Sequence, residues 1–530
     1  MDAVRLSRLV APTLAWLAAA LPAGIVCATD TALDPWTIDG QPTRQARQAI
    51  TLLTTADTHG LDPSDYRADA LAQAIDRATQ QRLDAAASAR LSATLTAAMQ
   101  RYLADLHAGR LPPRDLPYEN VALQHEAFDA AATLRRALAE DRLPDIAREA
   151  APKIPQYEQL RAALAFYRSQ ADHPAWQMPL PALPPAADGG PRKLVPGGPY
   201  AGLGTLRERL IALGDLAPDS PAMPVYEGAL VAAVQSFQGR HGLAEDGTIG
   251  AATLAQLQVP PAARVRQLEL MLERLRWTPL LLGPRMVVVN IPEFVLRAYE
   301  VQGERVVVRT TMKVIVGKAL DTRTPLIVEP MRSIEFRPFW NVPLSIARGE
   351  VVPRLRRDPA YWQREGFEFV TAGGMVIDAL SPALLDATLA GAARIRQRPG
   401  PRNALGDIKF VFPNREHIFL HHTPSVGLFE HERRDFSHGC IRVEQPVALA
   451  QFVLDDMAGW SEERIRAAMT EGEPTTVRLA APVPVLIAYG TAIVRGGRVH
   501  FFGDLYGHDR RLDAALRAPR EPLPAPPSIP

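Results

Sequence analysis

Cysteine is nearly absent from the chain: Cys27 and Cys440 are the two among 530 residues, so a disulfide framework cannot organise the fold. An excess of either charge is also missing, because 59 Lys and Arg face 58 Asp and Glu for a formal net charge of +1. That balance gives no general attraction to a polyanion, and no nucleic-acid partner is expected. Apolar runs long enough to cross a membrane are lacking too. The N-terminal run from Leu9 to Leu21 has 13 residues, short of the ~20 that span hydrocarbon.

What the N-terminus does hold is Arg5 and Arg8 ahead of that apolar run, then Val26-Cys27-Ala28 before Thr29-Asp30. This reads as a secretion signal over residues 1–28, cleaved after Ala28, with retention as an uncleaved membrane anchor as the alternative. Lipid attachment at Cys27 is disfavoured by Gly24-Ile25-Val26. After cleavage Cys440 is the sole cysteine, and a lone thiol in an oxidising compartment invites a chemical role.

At roughly 150 residues per domain the length suggests three or four folded units. Residues 32–170 are rich in Ala, Leu and Arg with helical periodicity, which predicts an all-α N-terminal scaffold domain. His59, His107 and His125 within it are isolated and read as surface or packing residues. Eight prolines between Ala171 and Tyr200 predict an extended connector over 171–200. Residues 201–260 read as a three-helix module, with Leu230, Val234 and Phe237 on one face. The string Phe237-Gln238-Gly239-Arg240-His241-Gly242-Leu243, with Asp246-Gly247-Thr248-Ile249-Gly250 and Thr253, resembles the peptidoglycan-binding module of bacterial wall enzymes. Whether this copy grips glycan stays open.

From 285 to 515 Val, Ile and Phe cluster in short runs broken by Gly, Pro or Asn, which predicts a mainly β domain. Polar helical text over about 341–403 interrupts it and reads as an inserted cap. The strand-like text at Val485–Ile487 and Arg498–Phe502 is expected to pack on the same domain, and the Pro-rich tail over 516–530 to hang loose. The fold class expected is therefore multidomain α+β.

The chemistry centres on Ser437-His438-Gly439-Cys440-Ile441-Arg442. A thiolate attacks carbonyl carbon, and the imidazole of His438 two residues away is expected to lower the pKa of Cys440. The N–H groups of Gly439 and Cys440 are candidates to hold a tetrahedral oxygen. His421, ending the apolar stretch Ile418-Phe419-Leu420, is the expected general base. His422 points to the opposite side and either orients His421 or faces solvent. A zinc reading of His421, His422, His438 and Cys440 meets the objection that adjacent strand residues do not easily share one tetrahedral centre, so no metal or other cofactor is assigned.

His421, fifteen intervening residues and Ser437-His438-Gly439-Cys440-Ile441-Arg442 together resemble the active-site signature of the YkuD-type L,D-transpeptidases, and the domain order resembles their large periplasmic subgroup. The resemblance implies a periplasmic enzyme whose partners are peptidoglycan stem peptides, as donor and as acceptor, and other cell-wall synthesis proteins. Cys440 would be the nucleophile and His421 the base, with terminal D-alanine released and 3→3 cross-links formed. His438, Gly439 and Arg442 would shape the thiol pocket, Arg442 by pairing with a stem carboxylate or by holding the loop, and Ser437 would support the loop. It also implies acylation by carbapenem-type β-lactams. His422 stands where the large subgroup often carries Asp, which leaves the third partner of His421 open. Positive lining is expected from Arg442, Arg433, Arg434 and Lys409. Groove walls are expected from Phe339-Trp340 with Asn341 and from Tyr361-Trp362. The alternatives are L,D-carboxypeptidase action, attachment of a lipoprotein to the wall through the same thioester, and a non-catalytic wall-binding scaffold.

Overall fold

The computed structural model describes residues 34–111, 128–186, 189–278, 283–303 and 305–527. The expected secretion signal with Cys27, and His125, lie outside the described residues. In the N-terminal region Thr43, Asp84 and Asp129 each accept the N–H three residues on, which starts the helices Arg44–Thr54, Ala85–Ala108 and Ala130–Ala139. With Ala68–Gln80 and Pro155–Ser169 they bury Leu53, Leu71, Leu91, Tyr102 and Leu160 in one core. The long helix stops at Gly109, at φ +82°, where a Cβ would lie 2.1 Å from Trp277 Nε1. Glycine is required there so that the helix Pro261–Trp277 can approach.

That helix falls where no domain was expected, and it joins two cores. Leu268, Met271, Leu272 and Leu275 enter the helical core, whereas Leu270 and Trp277 enter the core of the β domain. Its apolar residues are distributed around the axis because it is covered from two sides.

The helices Leu203–Ala212, Ala229–Arg240 and Ala251–Gln258 form the small module. The Pro-rich connector wraps onto it, burying Leu180, Leu183 and Leu194 in its core. Buried Arg209 donates to the carbonyls of Ala175, Met178 and Leu257, which ties the wrap in place. The hairpin Ala492–Arg495 with Arg498–Phe501, expected on the β domain, instead places Ala492, Val499 and Phe501 in the helical core. Asp215 of the module, its side chain fully buried, pairs with both Arg240 and Arg498 and joins that hairpin to the module. The tail is held rather than loose. Arg520 pairs with Asp105, Arg67 Nε donates to Leu523 O at 2.7 Å, and Leu523 is buried.

In the β domain nine strands are ordered Asp435–Ser437, Arg305–Gly317, Ile441–Val443, Leu420–His421, Ile408–Val411, Ile327–Phe336, Thr475–Ala488, Arg285–Asn290 and Val295–Gln302. Val295–Gln302 also pairs with Arg305–Gly317, so eight of the strands close into a ring and the ninth attaches at its rim. Closure removes most of the open edge and encloses Val287, Val314, Ile334, Phe410 and Ile441.

The insertion carries the helices Val352–Arg357, Ala360–Glu365 and Pro382–Leu389, preceded by a π-helical turn at Ala347–Val351. It also has a sheet of its own, ordered Trp340–Asn341, Ala393–Gln397, Phe367–Thr371 and Val376–Ile377. Trp362, Phe367, Phe369 and Ile395 form a separate core there. The cap is thus a folded unit and not a floppy loop.

Losing one partner of a buried ion pair leaves the other charge uncompensated. Asp215→Ala is therefore expected to lower unfolding free energy by about 3–5 kcal/mol. Arg498→Ala, which removes the more exposed partner, should lower it by no more than about 1 kcal/mol. Urea unfolding of the full chain measures both.

Candidate active site

Leu420–His421 runs parallel to Ile441–Val443, with His421 opposite Arg442, and antiparallel to Ile408–Val411, with Lys409 opposite His421. The two-residue period sends Leu420, Phe410 and Ile441 into the core, where each is fully buried. Lys409, His421 and Arg442 fall on the other face, and residues of the same parity, Phe419 and Cys440, extend it. Lys409 Nζ lies 4.5 Å from the Phe419 ring centre, and the Phe419 and His421 rings are 5.7 Å apart.

His421 is buried, and its Nδ1 donates to the carbonyl of His422 at 2.5 Å. That bond leaves Nε2 as the nitrogen with the lone pair. Burial first, and the Arg442 guanidinium second, bring its pKa down to about 3, so the imidazole is neutral at neutral pH. The side chain of His422 faces away, with Nδ1 3.2 Å from Asp407 Oδ2. The partners that orient His421 are therefore backbone carbonyls, that of His422 and that of Leu405.

Cys440 is half-buried, with Sγ 3.8 Å from the His417 carbonyl. Burial pushes its thiol up to about 11, against the opposing pull of Lys409 and Arg442. The expectation that His438 lowers this pKa fails for a geometric reason. His438 Nε2 lies 2.6 Å from Glu350 Oε1 and so turns toward the cap. The resting pair is a neutral thiol and a neutral imidazole.

The thiol loop is held by its own backbone and by residues that the sequence reading missed. Ser437 Oγ donates to Cys440 O at 2.5 Å and accepts from Gly439 N–H at 3.1 Å. The Gly439 N–H is thereby occupied, so of the two expected oxyanion donors only that of Cys440 is retained. Gly439 sits at φ +112°, a conformation that excludes other residues, and a Cβ would also press on Ile418 at 3.1 Å. Thr324 Oγ1 donates to Gly439 O at 2.8 Å, Thr322 Oγ1 donates to Ser437 O at 3.0 Å, and Tyr506 OH donates to Gly317 O at 2.7 Å. His417, whose carbonyl faces Sγ, has φ +54° and is set by Asn414, which bonds both the N–H and the carbonyl of Ile418. No spacing in the chain links these residues to Cys440; the closed sheet brings them together.

A cavity of about 460 Å³ lies between cap and sheet, lined among others by Trp340, Glu350, Arg354, Tyr361, Thr423 and Arg442. Of the cations expected to line a site, Arg433 is paired with Asp435 and Lys409 with Glu335 at 3.1 Å. Arg434 is buried and donates to the carbonyls of Val314, Phe294 and His431, a structural role. Trp362 is likewise not a groove wall: it is fully buried in the cap core and donates to Asp378 O. Asn341 is exposed opposite Arg396, and Phe339 lies under the Arg396 guanidinium at 4.0 Å. Trp340, Tyr361 and Arg442 do face the cavity. Among the described residues no group of three or more His, Cys, Asp or Glu is placed to hold a metal ion.

Comparison with known families matches residues 284–485 to the YkuD family, described as the L,D-transpeptidase catalytic domain. The chain carries a YkuD L,D-transpeptidase catalytic domain. Residues 35–164 match a scaffold domain, and residues 200–257 match a family described as "Putative peptidoglycan binding domain". A Haemophilus influenzae protein named "Putative L,D-transpeptidase" is 31% identical over 229 residues, which are 43% of this chain and 45% of that protein. The match thus spans less than half the length of that relative. An L,D-transpeptidase structure from Stackebrandtia nassauensis is 14% identical, covering 59% of this chain and 99% of that one at a TM-score of 0.22. Another, from Xylanimonas cellulosilytica, is 16% identical, covering 59% and 100% at a TM-score of 0.17. Domains that act on the cell wall suggest an extracellular or periplasmic location. Among the described residues no helix is long and apolar enough to cross a membrane.

The raised thiol pKa sets how the transpeptidase domain responds to pH. Because the thiol form dominates up to about 11, the thiolate fraction rises about tenfold per pH unit through pH 8 to 10. The rate of Cys440 alkylation by iodoacetamide, followed by mass spectrometry, is expected to climb across that range with no plateau near 9.

Proposed function

We propose that the protein is a cysteine L,D-transpeptidase that forms 3→3 cross-links in peptidoglycan, working in the periplasm. The observation that carries the reading is the parallel register of His421 with Arg442, which puts the buried imidazole on the face that Cys440 shares. The Cys440 Sγ attacks the carbonyl of the third stem residue as its proton passes to His421 Nε2. The C–N bond to the terminal D-residue breaks, and His421 returns that proton to the departing amine. A thioester on Cys440 remains. An amine of a second stem then attacks the thioester carbonyl, its proton passes to His421, and Sγ leaves to be reprotonated as the thiol. Because both partners rest neutral, proton transfer accompanies attack instead of preceding it.

The cap supports transfer over hydrolysis, since it is a folded unit whose Glu350 reaches His438 of the thiol loop and whose cavity leaves room for an acceptor. The module at 200–257 supports a peptidoglycan substrate through the description of its family. With disaccharide tetrapeptide as sole substrate the expected product is a cross-linked dimer with loss of one terminal D-alanine, read by mass spectrometry. Tripeptide monomer alone would mean hydrolysis and would overturn the transfer reading. His421→Ala should reduce dimer formation at least about 100-fold, the usual scale for a lost general base. His422→Ala should retain activity within about threefold, because its contribution to His421 is a main-chain carbonyl.

A further inference from the structure

The cavity between cap and sheet is lined by three arginines: Arg442 from the sheet, two residues beyond Cys440, Arg354 from the cap helix Val352–Arg357, and Arg402, which lies 3.8 Å from Glu365. Among the described residues neither exposed Arg354 nor half-buried Arg442 has a carboxylate within ion-pair distance. The two carboxylates that line the same cavity, Glu350 and Glu365, have other partners. Glu350, one turn before Arg354, is held by His438 at 2.6 Å, and Glu365 lies 3.8 Å from both Arg364 and Arg402.

Arg354 is also held in place. Its guanidinium stacks on the Tyr361 ring at 3.9 Å, a contact that fixes the plane of the group while leaving its N–H edge free to donate. Tyr361 in turn packs against Phe367 of the cap core, with ring centres 5.6 Å apart. A cation buttressed by a folded core and facing a second unpaired cation across a cavity makes a site for an anion. A planar carboxylate, which a guanidinium fork can grip with two parallel bonds, matches its geometry.

We propose that Arg354 is a specificity-determining residue that binds a carboxylate of the stem peptide opposite Arg442, so that the cap reads substrate charge. The inference rests on the transpeptidase reading above and goes beyond it, in giving the cap a recognition role in place of a passive cover. Two carboxylates of a stem lie close to the bond that breaks, the terminal α-carboxylate of the leaving residue and a side-chain carboxylate of the third residue. The site chemistry is the same for both.

The test uses the full chain and three tetrapeptide donors: the free acid, the C-terminal carboxamide, and the peptide with the third side-chain carboxylate amidated. Release of the terminal residue is followed to give KM and kcat separately. The wild-type protein should show a KM about tenfold higher for one of the two amidated donors, which identifies the carboxylate that is read. Arg354→Met should raise KM for the free acid to that same level, with kcat within about twofold, and should no longer distinguish the pair. Arg364→Met is the control. Arg364 also approaches Tyr361, at 5.4 Å, but is paired with Asp358, and its variant should discriminate as the wild type does.

If thermal melting shows that Arg354→Met disturbs the cap, Arg354→Gln is read in the same way. A folded Arg354 variant that retains the wild-type discrimination would overturn the inference, as would a wild-type protein equally active on all three donors. Release from no donor at all would overturn the transpeptidase reading, and this inference with it.

Discussion

The parallel pairing of Leu420–His421 with Ile441–Val443 is the constraint on which the rest of the site depends. Parallel strands need a long crossover, and here the crossover contains the thiol loop itself. The pairing has only two registered positions, Leu420 with Ile441 and His421 with Arg442, so it is too short to hold by itself. It persists because it lies inside a closed sheet, flanked by Ile408–Val411 on one side and Arg305–Gly317 on the other. A one-residue slip would drive His421 and Arg442 into the core and expose Leu420 and Ile441, which the burial of both apolar side chains opposes. Hydrophobic burial on one face thus fixes the positions of His421 and Arg442 on the other.

Burial also sets the chemistry. The environment that orders His421 and Cys440 strips both of the solvation that charge needs, which lowers the imidazole pKa and raises the thiol pKa. A preformed thiolate–imidazolium pair is therefore not the resting state. Such a thiol resists stray oxidation and alkylation better than an exposed thiolate would, and in the mechanism proposed above it becomes nucleophilic as its proton passes to His421.

Much of this was legible in the residues. The helical period of the N-terminal third and the strand character beyond residue 285 follow from local pattern, since each is encoded within a short window; the pairing of His421 with Cys440 is read from the same kind of pattern and stands as a proposal. What was not legible depends on contacts between distant segments. Helix Pro261–Trp277 joins two cores and so lacks a one-sided stripe. The cap sheet is built from strands as short as Trp340–Asn341 and Val376–Ile377, too brief for a period-two signal. Arg433, Arg434 and Lys409 looked available because a sequence shows charge but not its partner; Asp435, backbone carbonyls and Glu335 occupy them. Arg354 was passed over for the converse reason, since nothing in the chain announces that it faces Arg442.

The central claim is that Cys440 carries the acyl group of a wall peptide, and intact-protein mass spectrometry after brief mixing with a tetrapeptide donor tests it most directly. The account predicts an added mass equal to the donor stem less its terminal residue, located on Cys440 by peptide mapping and absent from Cys440→Ala. Cross-linked product formed by Cys440→Ala, or an acyl adduct mapped to any other residue, would contradict it.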